Sequence, residues 1–452
     1  MTSTIGVALE VRDYPCGIGQ GVATMELCHS AVEWDEAIQK LGGSIHQSWA
    51  WGEFKRRTQG WDPFRVLVKH GEGVRAAIQI LERRIPFLPL RVFCAPGGIA
   101  CPSQDDALLT ELVAWLRVFI RERRGILLRM DSCRLDSDSE YKVALCRAGL
   151  RQLADRWGVW GVPGRVTMAL DITACEEVLL SKMHQKHRQH IGRASRLGIT
   201  IEVSRDPNSV EEFYSCLTGS SARRDFHVYA LDYYAEAFRS LSLGCRPAIL
   251  LARLENRPVS ALFCAMFGET CYALFSGFDP EFSRLHSMEA LHWRAIQLAK
   301  DAGCRVYDLL HLPLVDIPHE GEPGYGLYNF KRGLGAEWRY SAGYFDLCPN
   351  PLLYQAFRFT ERKLGPWRTR WRPKQTRSCN DSPPGQPIPR TWQQGAVVHS
   401  RSGRMLLQRL EALRLDFRCL YLLSRRPATD SSFGAAYDRA MTAQAVPLCE
   451  IH

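Results

Sequence analysis

The stretch PAILLARLENRPVSALFCAMFG, Pro247 to Gly268, decides the fold. Its apolar and β-branched residues form two runs around the polar turn Glu255 to Arg257, a pattern that predicts a β-hairpin. CYALFSGF (Cys271 to Phe278) follows as another strand. A helix is expected from about Ser287 to Ala302, with Leu291, Ile296, Leu298 and Ala299 among its apolar positions, and Gly303 closes it. RVYDLL (Arg305 to Leu310) then reads as a buried strand.

The same order occurs roughly 180 residues earlier. FRVLVKH, GEG and VRAAIQILER, within Pro63 to Arg84, read as strand, tight turn and strand, and RVFCAPGG (Arg91 to Gly98) as the next strand. An amphipathic helix is expected from about Asp105 to Arg123, with Leu108, Leu112, Trp115, Leu116 and Phe119 on one face. Gly125 ends it, and ILLRMD (Ile126 to Asp131) is the matching strand. Self-similarity at this period argues for duplication of one α/β unit rather than a solenoid. Hairpin, strand, helix, strand is the order of an acetyltransferase-like (GNAT) lobe. The expected fold is therefore α/β: two tandem GNAT-like lobes with mixed sheets, over 26–165 and 166–364, sharing a cleft suited to a ligand. Residues 1–25 are expected to be flexible.

Composition narrows the function classes. A chain of 452 residues with 46% hydrophobic and 23% charged residues is ordinary for a multidomain globular protein. No apolar run reaches the ~20 residues of a membrane span, and Glu10, Arg12 and Asp13 stand where a signal peptide would be apolar. A cytoplasmic placement is expected. The 16 cysteines are scattered without a C-x-x-C pair, so small buried thiols are expected rather than a disulfide framework or structural zinc. The net charge of +10 sits mostly past Pro366, where 14 Arg and Lys face 6 Asp and Glu. Within that tail, 365–403 is Pro- and Arg-rich and reads as a disordered linker, 404–426 as a basic amphipathic helix, and 427–452 as a further tail. The helix is expected either to dock on the lobes or to lie on an anionic membrane surface, a peripheral contact at its cytoplasmic face.

Five strings carry a resemblance. QSWAWGEFKRRTQGWDPF (Gln47 to Phe64) pairs a helix bearing Gln47, Ser48, Trp51 and Lys55 with a following Gly-Trp. KMHQKHRQHIGRASRLGITIEV (Lys182 to Val203) is a basic helix leading into a strand. TGSSARRDFHVYALDYY (Thr218 to Tyr234) combines an Arg, a Phe and a Tyr pair. ALHWRAIQLAKDAGCRVYDL (Ala290 to Leu309) and YNFKRGLGAEW (Tyr328 to Trp338) complete the series. In this order the strings resemble the Fem (FemABX-type) family of peptidoglycan-bridge aminoacyltransferases, over about Gln47 to Leu352.

The resemblance implies transfer of an amino acid from aminoacyl-tRNA to the stem peptide of a peptidoglycan precursor, in its UDP-muramyl-pentapeptide or lipid-linked form. The ester is already activated, so no metal and no cofactor beyond the aminoacyl-tRNA co-substrate is implied. By position, Lys331 resembles the family's essential lysine with Phe330 beside it, and Asp131 a carboxylate that takes a proton from the attacking amine. Lys55, Arg223 and Tyr272 resemble precursor-binding residues. Lys182, Lys186, Arg188 and Arg193 are candidates for phosphate contact with tRNA or precursor, against a solvated basic helix as the alternative. Arg suits bidentate anion contact and Lys serves as a point charge. His311 departs from the family's glycine-containing turn, and the long coiled-coil arm of larger members is absent, since no sustained heptad run occurs.

Residue by residue, Lys55 and Lys331 also read as exposed helical lysines, Tyr272 as a strand aromatic, and Asp308 as a structural carboxylate at a strand end. His184, His187 and His190 drift off one helical face at i, i+3, i+6, so no metal site is expected from them. KRGLGA (Lys331 to Ala336) faintly resembles a coenzyme-A loop but is not followed by an evident helix to receive a pyrophosphate. Two alternatives stand beside the aminoacyltransferase: an acyl-CoA-dependent N-acyltransferase acting on an amino sugar or envelope polysaccharide, and a non-catalytic membrane-surface adaptor.

Overall fold

The structure, a computed structural model, describes residues 23–370 except 72, 102–104, 133, 154–165, 225–227 and 313–315. The expected helix at 404–426, most of the 365–403 linker and the last tail lie outside the described residues, as do 1–22 of the N-terminal segment. The chain divides into two units, Met1–Pro349 and Asn350–His452.

In chain order the first lobe comprises β1 (Thr24–Leu27), α1 (Ala31–Lys40), α2 (Trp49–Gln59), β2 (Asp62–His70), β3 (Gly73–Arg84), β4 (Arg91–Ala95), β5 (Ile99–Ala100), α3 (Asp106–Glu122), β6 (Gly125–Met130), α4 (Ser139–Arg147) and β7 (Arg151–Gln152). The second continues with β8 (Val166–Asp171), α5 (Glu176–Lys182), α6 (Gln185–Arg196), β9 (Thr200–Ser204), α7 (Ser209–Arg224), α8 (Leu231–Leu241), β10 (Ala248–Leu254), β11 (Arg257–Phe267), β12 (Thr270–Phe278), α9 (Ser287–Asp301), β13 (Val306–Leu312), α10 (Tyr325–Gly333), β14 (Glu337–Tyr340) and β15 (Phe345–Leu347). The second unit opens with α11 (Pro351–Arg370), which is helical through 365–370, six residues into the expected linker.

Both hairpins form where the sequence places them. The β10–β11 turn puts Glu255 and Asn256 at φ 50° and 66°, the left-handed pair that a tight hairpin needs. The mixed sheets run β1-β2-β3-β4-β6-β15-β7, with β5 beside β3, and β14-β8-β13-β12-β11-β10-β9. In the first sheet β4 pairs parallel with β6 across the crossover that contains α3, and in the second β12 pairs parallel with β13 across α9.

Each sheet is buried on both faces, so its central strands read as unbroken apolar runs. Along β2, Val66 and Val68 pack under α3 and α4, while Leu67 faces the opposite core. Along β10, Ala248, Leu250 and Ala252 face the core of α6 and α9, while Ile249 and Leu251 point the other way. The core they share with Leu67 holds Trp34, Ile38 and Phe54 of α1 and α2 together with Phe213, Tyr234 and Phe238 of α7 and α8. Helices from both lobes thus form one middle layer between the sheets.

The lobes also exchange a strand. β15 lies within the range expected for the second lobe, yet it pairs antiparallel with β6 and β7 of the first sheet. Arg129 on β6 stands opposite Asp346 on β15, and their side chains form a bidentate pair at 2.8 and 2.9 Å, fully buried. A buried charge needs such a partner. The first sheet is therefore not contained in 26–165.

Candidate active site

β12 and β13 run parallel only from Thr270 and Val306 to Tyr272 and Asp308, and then part. β13 breaks its register with β8 between Asp308 and His311, and Leu310 takes φ 61°, a left-handed conformation unusual for a branched side chain. Asp308 holds the bend: its Oδ1 accepts from the Leu310 amide at 2.7 Å and from the Thr167 hydroxyl at 2.8 Å. This is the structural part the sequence suggested for Asp308. Between the splayed strands lies a cavity of about 340 Å³, walled by Ala273 to Ser276 on one side and Leu309 to His311 on the other.

α10 closes the cavity with Phe330 and Lys331. Lys331 is buried, and its ammonium donates to the carbonyls of Leu309 at 2.6 Å and Leu310 at 3.2 Å, both exposed by the β13 bend. Burial lowers its pKa from 10.5 to about 8, with Asp308 acting weakly the other way. A desolvated ammonium fixed by two carbonyls is a positioned point charge at the cavity wall. Phe330 packs between His187 and His292, ring centres 5.6 and 5.5 Å away. His292 also lines the cavity, with Nδ1 2.7 Å from the Tyr307 hydroxyl. Burial, reinforced by the Lys331 and His187 charges, lowers His292 to about 3, so its imidazole is neutral.

The site continues across the lobe junction. His311 stands 5.8 Å, ring to ring, from His46, which precedes α2. His46 is buried and lowered to about 3, by desolvation first and then by the nearby charges of His311 and Lys55. Tyr272 on β12 reaches over to the first lobe, its hydroxyl accepting from the Ile45 amide at 3.4 Å. Lys55 on α2 is half-buried among aromatic rings, 4.8 Å from the centre of Trp51, 5.0 Å from Phe54 and 6.0 Å from Tyr233 of the other lobe. Among the described residues no carboxylate pairs with it, and burial lowers its pKa to about 8. Such a cation is available to an anion.

Asp131 follows β6. Its Oδ1 accepts from the Gly97 amide at 2.6 Å, and burial raises its pKa to about 7 against that bond. The charges of both Lys55 and Asp131 bear on the buried Cys94 thiol. The structure thus gathers Lys331 and Phe330 at the cavity and puts Tyr272 and Lys55 at the junction beside it, while Asp131 is not among the residues that line the cavity. Arg223 lies in the last turn of α7, and its side chain is outside the described residues.

Of the basic candidates, Lys182, Lys186 and Arg193 are exposed. Arg188 is already engaged: it donates to the carbonyls of Leu180, Ser181 and Met183, closing the end of α5. The sequence reading missed His46 and His292, and took His311 only as a departure from a motif. No local spacing marks them, because the splay of β12 from β13 is what brings them together. The KRGLGA segment forms the end of α10 and the turn into β14, so carbonyls rather than free amides close that helix.

The family described as "Acetyltransferase (GNAT) domain" matches residues 181–332. The chain is 22% identical over 220 residues to a lipid II:glycine glycyltransferase of Staphylococcus haemolyticus (strain JCSC1435), a match covering 48% of this chain and 52% of that protein. It is 21% identical over 238 residues to the lipid II:glycine glycyltransferase of Staphylococcus aureus, covering 52% of this chain and 56% of that protein. The chain thus spans about half the length of the curated relatives it matches. Among solved structures, that of FemX superposes with a TM-score of 0.67 at 18% identity, covering 73% of this chain and 99% of that one. The two-lobed GNAT-like fold and the resemblance to the Fem family are both borne out.

Proposed function

Taking the chain as a Fem-like protein of tandem GNAT fold, we propose that it transfers an aminoacyl group, glycyl in the first instance, from tRNA to an amine on the stem peptide of a peptidoglycan precursor. The relatives named as lipid II:glycine glycyltransferases support the acceptor and the amino acid. The observation that carries the reading is Lys331, desolvated and pinned at the wall of the cavity between β12 and β13.

In this reading the stem-peptide nitrogen attacks the ester carbonyl, a C–N bond forms, and the carbonyl oxygen becomes an oxyanion facing the Lys331 ammonium. The tetrahedral species collapses with cleavage of the ester C–O bond, and the ribose oxygen leaves with a proton. Asp131, raised to about 7, is a competent acceptor for the amine's proton. Lys55 and Tyr272, with Arg223, hold the anionic precursor, and the exposed Lys182, Lys186 and Arg193 meet phosphates of the donor.

The test offers purified protein and a muramyl-pentapeptide acceptor either mixed charged tRNAs or acyl-CoAs, with product mass as the readout. A gain of one amino-acid residue with tRNA alone is expected. Gain with acyl-CoA alone overturns the donor assignment. Lys331→Ala is expected to lower kcat/KM at least ~100-fold, as removal of an oxyanion donor does elsewhere, and a fully active variant rejects the site.

A further inference from the structure

We propose a zinc-class metal site between α6 and α9, built from His190, His286 and Glu289 and separate from the cavity described above. His190 comes from the basic helix. His286 and Glu289 come from the cap and first turn of α9. One ligand atom from each lies within 4.8 Å of the others. His190 Nδ1 is 2.8 Å from Glu289 Oε1, His286 Nδ1 is 4.0 Å from the same oxygen, and the two imidazoles stack with centres 3.8 Å apart.

Two further features favour a ligand set over a chance cluster. His286 adopts φ 53°, a left-handed cap that costs backbone energy and aims its ring at His190. Glu289 is buried, with two imidazoles around one of its oxygens. Two imidazoles and one carboxylate are the protein ligands of an open zinc site, leaving a fourth position for water or a phosphate oxygen. Ligand atoms on tetrahedral zinc lie roughly 3.3 Å apart, given bonds of about 2.0–2.1 Å, so on binding the three atoms draw together and the stacked imidazoles turn until their nitrogens converge. Arg193, whose charge bears on His286, is the neighbouring cation. Together they would give the α6 face an anion-accepting centre beyond its side-chain charges.

The test uses metal-free full-length protein titrated with zinc against a chromophoric chelator, without any substrate. One equivalent of zinc is expected to bind in the wild type, with affinity lowered at least tenfold in Glu289→Gln and in His286→Asn. Asparagine tolerates the left-handed cap while removing the imidazole. Thermal melts should show zinc, but not magnesium, raising the wild-type midpoint and leaving both variants unchanged. The exposed Cys146 and Cys175 are present in every variant and cancel from the comparison. Absence of zinc binding in the wild type overturns the proposal, as does equal affinity in the wild type and His190→Asn/His286→Asn.

Discussion

At the scale of single residues, the site is a set of groups whose charges burial has moved toward neutrality. Asp131 is raised to about 7, and Lys55 and Lys331 are lowered to about 8. If Asp131 must be ionised and the lysines charged, kcat/KM should rise to pH ~7 and fall above ~8, and Asp131→Asn should remove the rising limb. A profile unchanged in Asp131→Asn would take that carboxylate out of the mechanism. Stability should move oppositely at the two kinds of group. The folded state holds the Asp131 proton more tightly than the unfolded one, so stability falls from pH ~4 to ~7. The lysines are more acidic when folded, so stability recovers from ~8 to ~10. Lys331 and Phe330 were legible because they sit in one short motif. His46, His292 and His311 were not, because they converge from an α2-proximal turn, a helix and a strand bend that are distant in sequence.

At the scale of elements, the hairpins and the long helices were legible since local patterning dictates them: alternation, turn residues and Gly stops. β15 was not. FDL is three residues with a charge at its centre, and only Arg129, 217 positions away, makes Asp346 a core residue. Breaking that pair by Arg129→Met should cost about 3–5 kcal/mol in urea unfolding, whereas Arg129→Met/Asp346→Leu should be much closer to wild type. A single variant as stable as wild type would deny the clasp its importance. The basic helix α6 was read correctly as a helix, but its cations are not equivalent. Lys186→Ala and Arg193→Ala should each lower the salt slope of tRNA binding by roughly 1. Arg188→Ala should instead loosen the α5–α6 corner, with the slope unchanged. Equal slopes in all three would detach α6 from donor binding.

At the scale of the whole molecule, duplication of one unit was visible as a repeat, but the way the copies join was not. The sequence suggests two lobes facing a cleft, whereas α1, α2, α7 and α8 fill one common core between the sheets. Calorimetry on the full chain should therefore show Met1–Pro349 melting in a single cooperative transition, not in two separable ones. Two resolved endotherms, one surviving removal of the other, would mean that the shared layer does not couple the sheets.

The returning strand also fixes an order of events at the ribosome. The first sheet lacks β15, and Arg129 its buried partner, until residues 345–347 have been made, more than 200 residues after β6. At the usual 5–20 residues per second, that exposes an unfinished sheet edge for roughly ten seconds or more. The second sheet draws all its strands from residues 166–340 and can assemble while it waits. The lobe translated first is thus the one completed last, and a ribosome stalled within the second lobe would release a chain with an open edge ready to pair with another.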